Sequence, residues 1–98
     1  PLIPDFKIER EFQSISDTVA SARLDCVVSA LCGISREKAQ GVIRIGETEL
    51  DYFTEERPDR AVSEGSIISV RGYGKFSVVS LSEQTKKGRL RLLANKYI

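Results

Sequence analysis

The sequence predicts an α+β fold: two short packed helices on a small antiparallel sheet, extended by a C-terminal β-meander. Three observations carry this prediction. Leu24, Val27, Val28 and Leu31 recur at i, i+3, i+4 and i+7, the spacing of a helix with one buried face. A second stripe of Ala39, Val42 and Ile43 follows a break at Gly33 and a helix-capping residue at Ser35. From Ile67 onward, runs rich in β-branched and aromatic residues alternate with glycine turns, as strands do.

Taken in order, residues 5–16 (DFKIEREFQSIS) place Phe6, Ile8 and then, after a slip, Phe12 between charged neighbours, which predicts a strand bearing a bulge. The first helix begins after Ser21 and stops at Gly33. Ser35 caps the second helix, and Gly46 supplies its stop. The segment ETELDY then predicts a short strand. FTEERPDRAVSEG, with Pro58, an acidic cluster and Gly65, predicts a loop. Ile67, Ile68 and Val70 open one strand, Gly72-Tyr73-Gly74 turns it, and Phe76, Val78, Val79 and Leu81 continue in the next. A second turn is expected at Gln84 to Gly88, after which RLRLLANKY closes the meander. Leu24, Val27, Val28, Leu31, Val42 and Ile43 are the expected helix-helix core. Residues 1–19 are expected to be a strand or linker segment from a longer protein, and residues 20–98 the domain proper.

With 98 residues the chain is one domain, and a domain of this size buries only about 60 to 65% of its unfolded surface. Hydrophobic residues at 41% and charged residues at 30% are ordinary for a globular chain, and no apolar run approaches the roughly 18 residues that span a bilayer. A cytoplasmic monomer with no membrane contact is therefore expected. The first residue is Pro1, and residues 1–20 lack the basic start and apolar stretch of a signal peptide, so a fragment of a longer cytosolic protein is expected. Cys26 and Cys32 stand six apart on different faces of a helix, which favours buried thiols over a disulfide. Without histidine or a second cysteine pair, a zinc site has almost no ligands to draw on. The same absence removes the commonest general base and every Ser-His or Cys-His nucleophile. No catalytic residue, metal site or cofactor is expected.

Net charge is only +1, but it is unevenly placed. Residues 1–20 sum to −2, 21–46 to +2, 47–66 to −5, and 67–98, with seven basic residues against Glu83, to +6. A polyanion would meet two basic regions if folding brings them together. On the second helix, at 100° per residue, Arg36, Gln40 and Arg44 lie near 0°, 40° and 80°, while the apolar stripe centres near 290°. A basic strip thus runs beside the buried face. Arg23 and Lys38 add charge nearby, and the helix start behind Ser35 presents N–H groups suited to a phosphate oxygen. Solvated helix faces also carry arginine, so both readings of the strip remain open. Tyr73 stacks on a base or packs on its own hairpin, and Lys86 and Lys87 are solvated turn residues or phosphate contacts alongside Arg89 and Arg91.

Arg23-Leu24-Asp25, then Ser35-Arg36, Ala39, Ile43 and Gly46, resemble the S-four RNA-binding domain, named after a small-subunit ribosomal protein. The resemblance covers about residues 21–70 and implies an αL-like module whose helix pair binds structured ribosomal or transfer RNA. It implies RNA contacts from Arg23, Ser35, Arg36, Lys38 and Arg44. Asp25 is read as orienting a neighbouring arginine or capping a helix end. Val70-Arg71-Gly72-Tyr73-Gly74-Lys75-Phe76, followed by Thr85-Lys86-Lys87-Gly88-Arg89, is similar to the C-terminal end of YlmH-type proteins. These are bacterial and plastid-type RNA-binding proteins with further N-terminal domains, linked to cell division and to ribosome-associated quality control. Where many members carry Asn after the strand that follows Gly46, this chain has Asp51.

The expected function is a noncatalytic RNA binder acting at the ribosome, with Arg23, Ser35, Arg36, Lys38, Gln40, Arg44, Lys86, Lys87 and Arg89 as the RNA-binding residues. Two other functions fit the same features. The module could target an appended RNA-modifying enzyme, or the acidic loop from Glu47 to Glu64 could bind a basic protein.

Overall fold

A computed structural model describes residues 12–83 and 89–97. The chain runs β1 (Phe12–Val19), α1 (Leu24–Cys32), α2 (Arg36–Arg44), β2 (Thr48–Leu50), β3 (Phe53–Thr54), β4 (Ile67–Val70), β5 (Gly74–Glu83) and β6 (Leu90–Tyr97). All six strands form one antiparallel sheet in the order β1-β6-β5-β4-β2-β3. This is the α+β architecture expected, and β4, β5 and β6 are the meander. Helices cover one face only. Leu24, Val27, Val28 and Leu31 of α1 and Ala39 and Ile43 of α2 bury against Ile68, Val70, Phe76, Val78, Leu92 and Ala94, which alternate along the strands. Val42 is half-buried at the margin of this core rather than inside it.

Local chemistry explains the helix ends. Gly33 closes α1 at φ 68°, and the N–H groups of Gly33 and Ile34 both donate to Ser29 O. Ser35 caps α2 by accepting from Lys38 N at 3.1 Å. At the start of α1 the N-cap residue, Arg23, makes no side-chain cap bond. The loop after β3 supplies one instead. Leu24 N donates to Arg60 O at 2.8 Å and Asp25 N to Pro58 O at 3.0 Å, while Val62 N reaches back to Ala22 O. Val62 is thereby buried and joins the core.

Three expectations need correction. The first strand is described from Phe12 and continues past Ser16 to Val19, paired residue for residue with β6; Phe6 and Ile8 lie outside the described residues. The bulge expected at the slip between Ile8 and Phe12 also lies outside the described residues, and a bulge that was not expected sits in β5, between Val78 and Ser80, where two residues oppose one on β6. The strand expected over ETELDY is cut to three residues because Asp51 and Tyr52 turn the chain at φ 53° and 74°. Phe53 and Thr54, expected in a loop, pair back on Leu50 and Glu49 as β3. The expected turn at Gln84 to Gly88 lies outside the described residues.

Candidate nucleic-acid interface

The expected basic strip is organised by a carboxylate. Asp25, in the first turn of α1, has no solvent exposure, yet its oxygens accept five hydrogen bonds. Arg23 donates from Nε at 3.2 Å and Nη2 at 3.0 Å, Arg36 from Nε at 3.3 Å, Gln40 from Nε2 at 2.8 Å and the backbone N–H of Cys26 at 2.8 Å. Asp25 therefore both orients arginines and caps its own helix turn. Burial pushes its carboxyl upward, but the hydrogen bonds from Gln40, Arg23 and Arg36 and the charge of Arg23 outweigh that and hold it below its ordinary value.

The helix geometry makes this convergence possible. Arg36 and Gln40 stand one turn apart on α2 and so share a face. Arg23 precedes α1, and the packing of the two helices through Leu24, Val28, Ala39 and Ile43 brings all three donors to one point. Arg23 and Arg36 remain 41% and 50% exposed at their side chains, so each guanidinium is tied at one edge and open at the other. Lys38 and Arg44 are exposed on the same helix. Ser35 spends an acceptor lone pair on its cap and keeps its O–H to donate.

Arg89 comes close to this cluster. It lines a cleft of about 160 Å³ with Arg36, Thr18, Val19, Ala20, Cys26 and Ser29. The helical and C-terminal basic regions, far apart in sequence, thus meet at Arg36 and Arg89. Lys86 and Lys87 lie outside the described residues. Arg91, opposite Thr18 and Ser82, is exposed. Tyr73 is half-buried against the core, so the hairpin accounts for it.

The acidic segment turns inward on itself. Asp51 accepts from Ile67 N at 3.0 Å and Glu64 from Leu81 N at 2.9 Å. Glu55 accepts from Arg57 N and pairs with Arg60 at 3.5 Å, and Asp59 pairs with Arg57 at 3.5 Å. Sequence reasoning did not find the support that Pro58 and Arg60 give to the start of α1. These bonds come from backbone carbonyls, which no residue type signals.

Among the described residues no group of three His, Cys, Asp or Glu side chains is placed to hold a metal ion, and no helix is long and apolar enough to cross a membrane. Cys26 and Cys32 are free thiols; Cys26 is buried as expected, whereas Cys32, at the end of α1, is only half-buried.

Fold and site together define a class: a small α+β module whose helix pair presents guanidinium groups fixed in advance by a buried carboxylate. Over 76 residues, 78% of its length, the chain is 36% identical to ribosome-associated protein quality control protein P2 of Bacillus subtilis (strain 168). The aligned stretch is 30% of that protein, so the chain spans about a third of the relative's length. No family model matches the chain.

Proposed function

We propose that the chain is a noncatalytic RNA-binding module that grips structured ribosomal or transfer RNA at the ribosome, in translation or ribosome-associated quality control. The Asp25 cluster is the observation that carries this reading. A guanidinium whose one edge is held by a carboxylate presents its remaining N–H groups in a fixed direction, and phosphate oxygens accept such pairs of donors well. Fixing a long side chain beforehand spares about 0.5–1.5 kcal/mol of ordering cost when ligand binds. Arg23 and Arg36 are held in this way, Lys38 and Arg44 widen the positive surface, and Arg89 extends it across the cleft it shares with Arg36. Lys86 and Lys87 are proposed to continue that surface.

Two independent strands support the ribosomal setting and the S-four reading of residues 21–70. One is the similarity to a relative named as a ribosome-associated quality control protein, and the other is the order Arg23, Asp25, Ser35, Arg36, Ala39, Ile43 and Gly46. Attachment to a larger protein fits the third of the relative's length that the chain spans. A protein-binding role for the acidic segment has less support, because Asp51, Glu55, Asp59 and Glu64 are engaged within the fold.

The test is binding of a ribosomal RNA hairpin and of a transfer RNA by the full chain across a salt series. Affinity is expected to fall with salt at a slope of about −0.7 to −0.9 per phosphate neutralised. Absence of salt-dependent binding to either RNA would refute the reading.

A further inference from the structure

The face of the sheet that the helices leave open carries a row of aromatic rings around one lysine. Phe12 and Tyr97 stand opposite each other on β1 and β6 and make an edge-to-face pair with ring centres 5.2 Å apart. On β5, Lys75 places its ammonium 5.3 Å from the Tyr97 ring centre and 4.9 Å from that of Tyr52. Phe12, Tyr52 and Tyr97 are 54%, 65% and 38% exposed, so core packing does not account for them. Beside them lies a groove of about 530 Å³ lined by Glu47, Glu49, Ser69, Arg71, Gly74 and Lys75, among others.

The backbone at Tyr52 sets this face apart independently. Asp51 and Tyr52 form the two-residue turn between β2 and β3, both at positive φ, where Asn-Gly or Asp-Gly is the usual pair. A tyrosine at φ 74° is strained where glycine would not be. Its ring projects into solvent over Lys75. A costly backbone position thus holds a large aromatic side chain that stabilises no core.

We propose that this open face is a second RNA contact, on which Tyr52 and Tyr97 stack unpaired bases while Lys75 and Arg71 hold the adjoining phosphates. The proposal rests on the RNA-binding reading above and names a further surface for it, on the opposite side of the sheet from Arg23 and Arg36. Aromatic rings stack on the faces of bases that are free of a duplex, and lysine beside them neutralises the backbone. Glu49, in the same groove, repels phosphate and accepts from base N–H groups, which places the bases rather than the backbone inside the groove. The helix pair would then hold structured RNA by its phosphates, and the sheet a single-stranded segment of it.

The experiment measures binding of two probes, a single-stranded RNA decamer of mixed sequence and a fully paired RNA hairpin, by the parent chain and by three variants. Tyr52→Ala with Tyr97→Ala is expected to weaken decamer binding at least tenfold, to leave its salt slope unchanged because no ion contact is lost, and to change hairpin affinity less than twofold. Tyr52→Phe with Tyr97→Phe keeps the rings and is expected to bind as the parent does. Tyr52→Gly relieves the turn, so it should raise the unfolding midpoint while weakening decamer binding. A decamer affinity unchanged in the alanine pair overturns the platform, as does equal loss on both probes. Should the parent bind the hairpin but not the decamer, the platform fails while the helical site stands; binding neither sinks both. Concentration-dependent dimerisation in sedimentation that the alanine pair abolishes, with decamer binding intact, would make the face a contact between copies and also overturn the proposal.

Discussion

The side-chain amide of Gln40 donates to Asp25 across 2.8 Å, tying the middle of α2 to the first turn of α1 through a carboxylate that no solvent reaches. Arg23 and Arg36 reach the same carboxylate from either helix, so one buried negative charge sets the direction of two half-exposed positive ones. Fold and candidate site are coupled at this point. A change at Asp25 should therefore move stability and binding together.

Asp25→Asn tests that coupling against bulk electrostatics, since it makes the chain more positive by one charge. Loss of charged hydrogen bonds should cost about 1–3 kcal/mol in urea unfolding. RNA affinity should fall despite the added positive charge, because Arg23 and Arg36 are no longer held. Tighter RNA binding by this variant would mean that net charge, not arginine placement, governs affinity.

Arg36 and Arg44 separate the two contributions. Arg44 is exposed and makes no ion pair among the described residues, so Arg44→Ala should change stability by no more than about 0.5 kcal/mol. Arg36→Ala removes a partner of the buried carboxylate and should cost more, about 1 kcal/mol given its half exposure. The Arg36/Arg44 double alanine variant should bind structured RNA at least tenfold more weakly, equivalent to about 1.4 kcal/mol. Filter binding at moderate salt that finds parental affinity in the double variant would move the site away from the helix pair.

Two groups give stability opposite pH limbs. Asp25 titrates below 3.8 when folded and near 3.8 when unfolded, so its contribution is present above about pH 4 and is lost as pH falls through the folded value. Burial raises the Cys32 thiol from 9.0 to about 11 despite the nearby Lys96 charge. Its contribution is complete below pH 9 and is lost as pH rises toward 11. Urea melts across both ranges should show an acid limb flattened in Asp25→Asn and an alkaline limb flattened in Cys32→Ser.

Packing supplies two more measurements. Leu24 is fully buried between the helices and the sheet, and truncation to Ala should cost about 2–5 kcal/mol. Thr48 is buried on β2, and its hydroxyl has no partner among the described residues. Thr48→Val keeps the shape and removes the unpaired hydroxyl, so it should stabilise the chain by about 1 kcal/mol. Destabilisation on thermal melting would show that the hydroxyl has a partner in solution.

Much of the architecture was legible because it is written in local patterns. Leu24, Val27, Val28 and Leu31 could face inward together only on a helix, and Gly33 and Ser35 end and begin helices by their own conformational preferences. The meander was legible in the alternation of Ile68, Val70, Phe76 and Val78 between turns. The reversal at Asp51 and Tyr52 was not, since neither residue favours positive φ strongly enough to declare it, and the two-residue strand after it is too short to have a period.

By itself, then, the sequence determined which residues are helical, which stripes are buried and that positive charge collects on α2 and near the C-terminus. Each follows from interactions within a few residues. Only the tertiary structure decided that Asp25 gathers Arg23, Arg36 and Gln40, that Arg89 joins Arg36 in one cleft, and that Lys75 lies between Tyr52 and Tyr97. The physical reason is that these relationships cross separate elements. Their geometry is set by how the helices pack on the sheet and by the register of β1, β5 and β6, which only the folded core fixes.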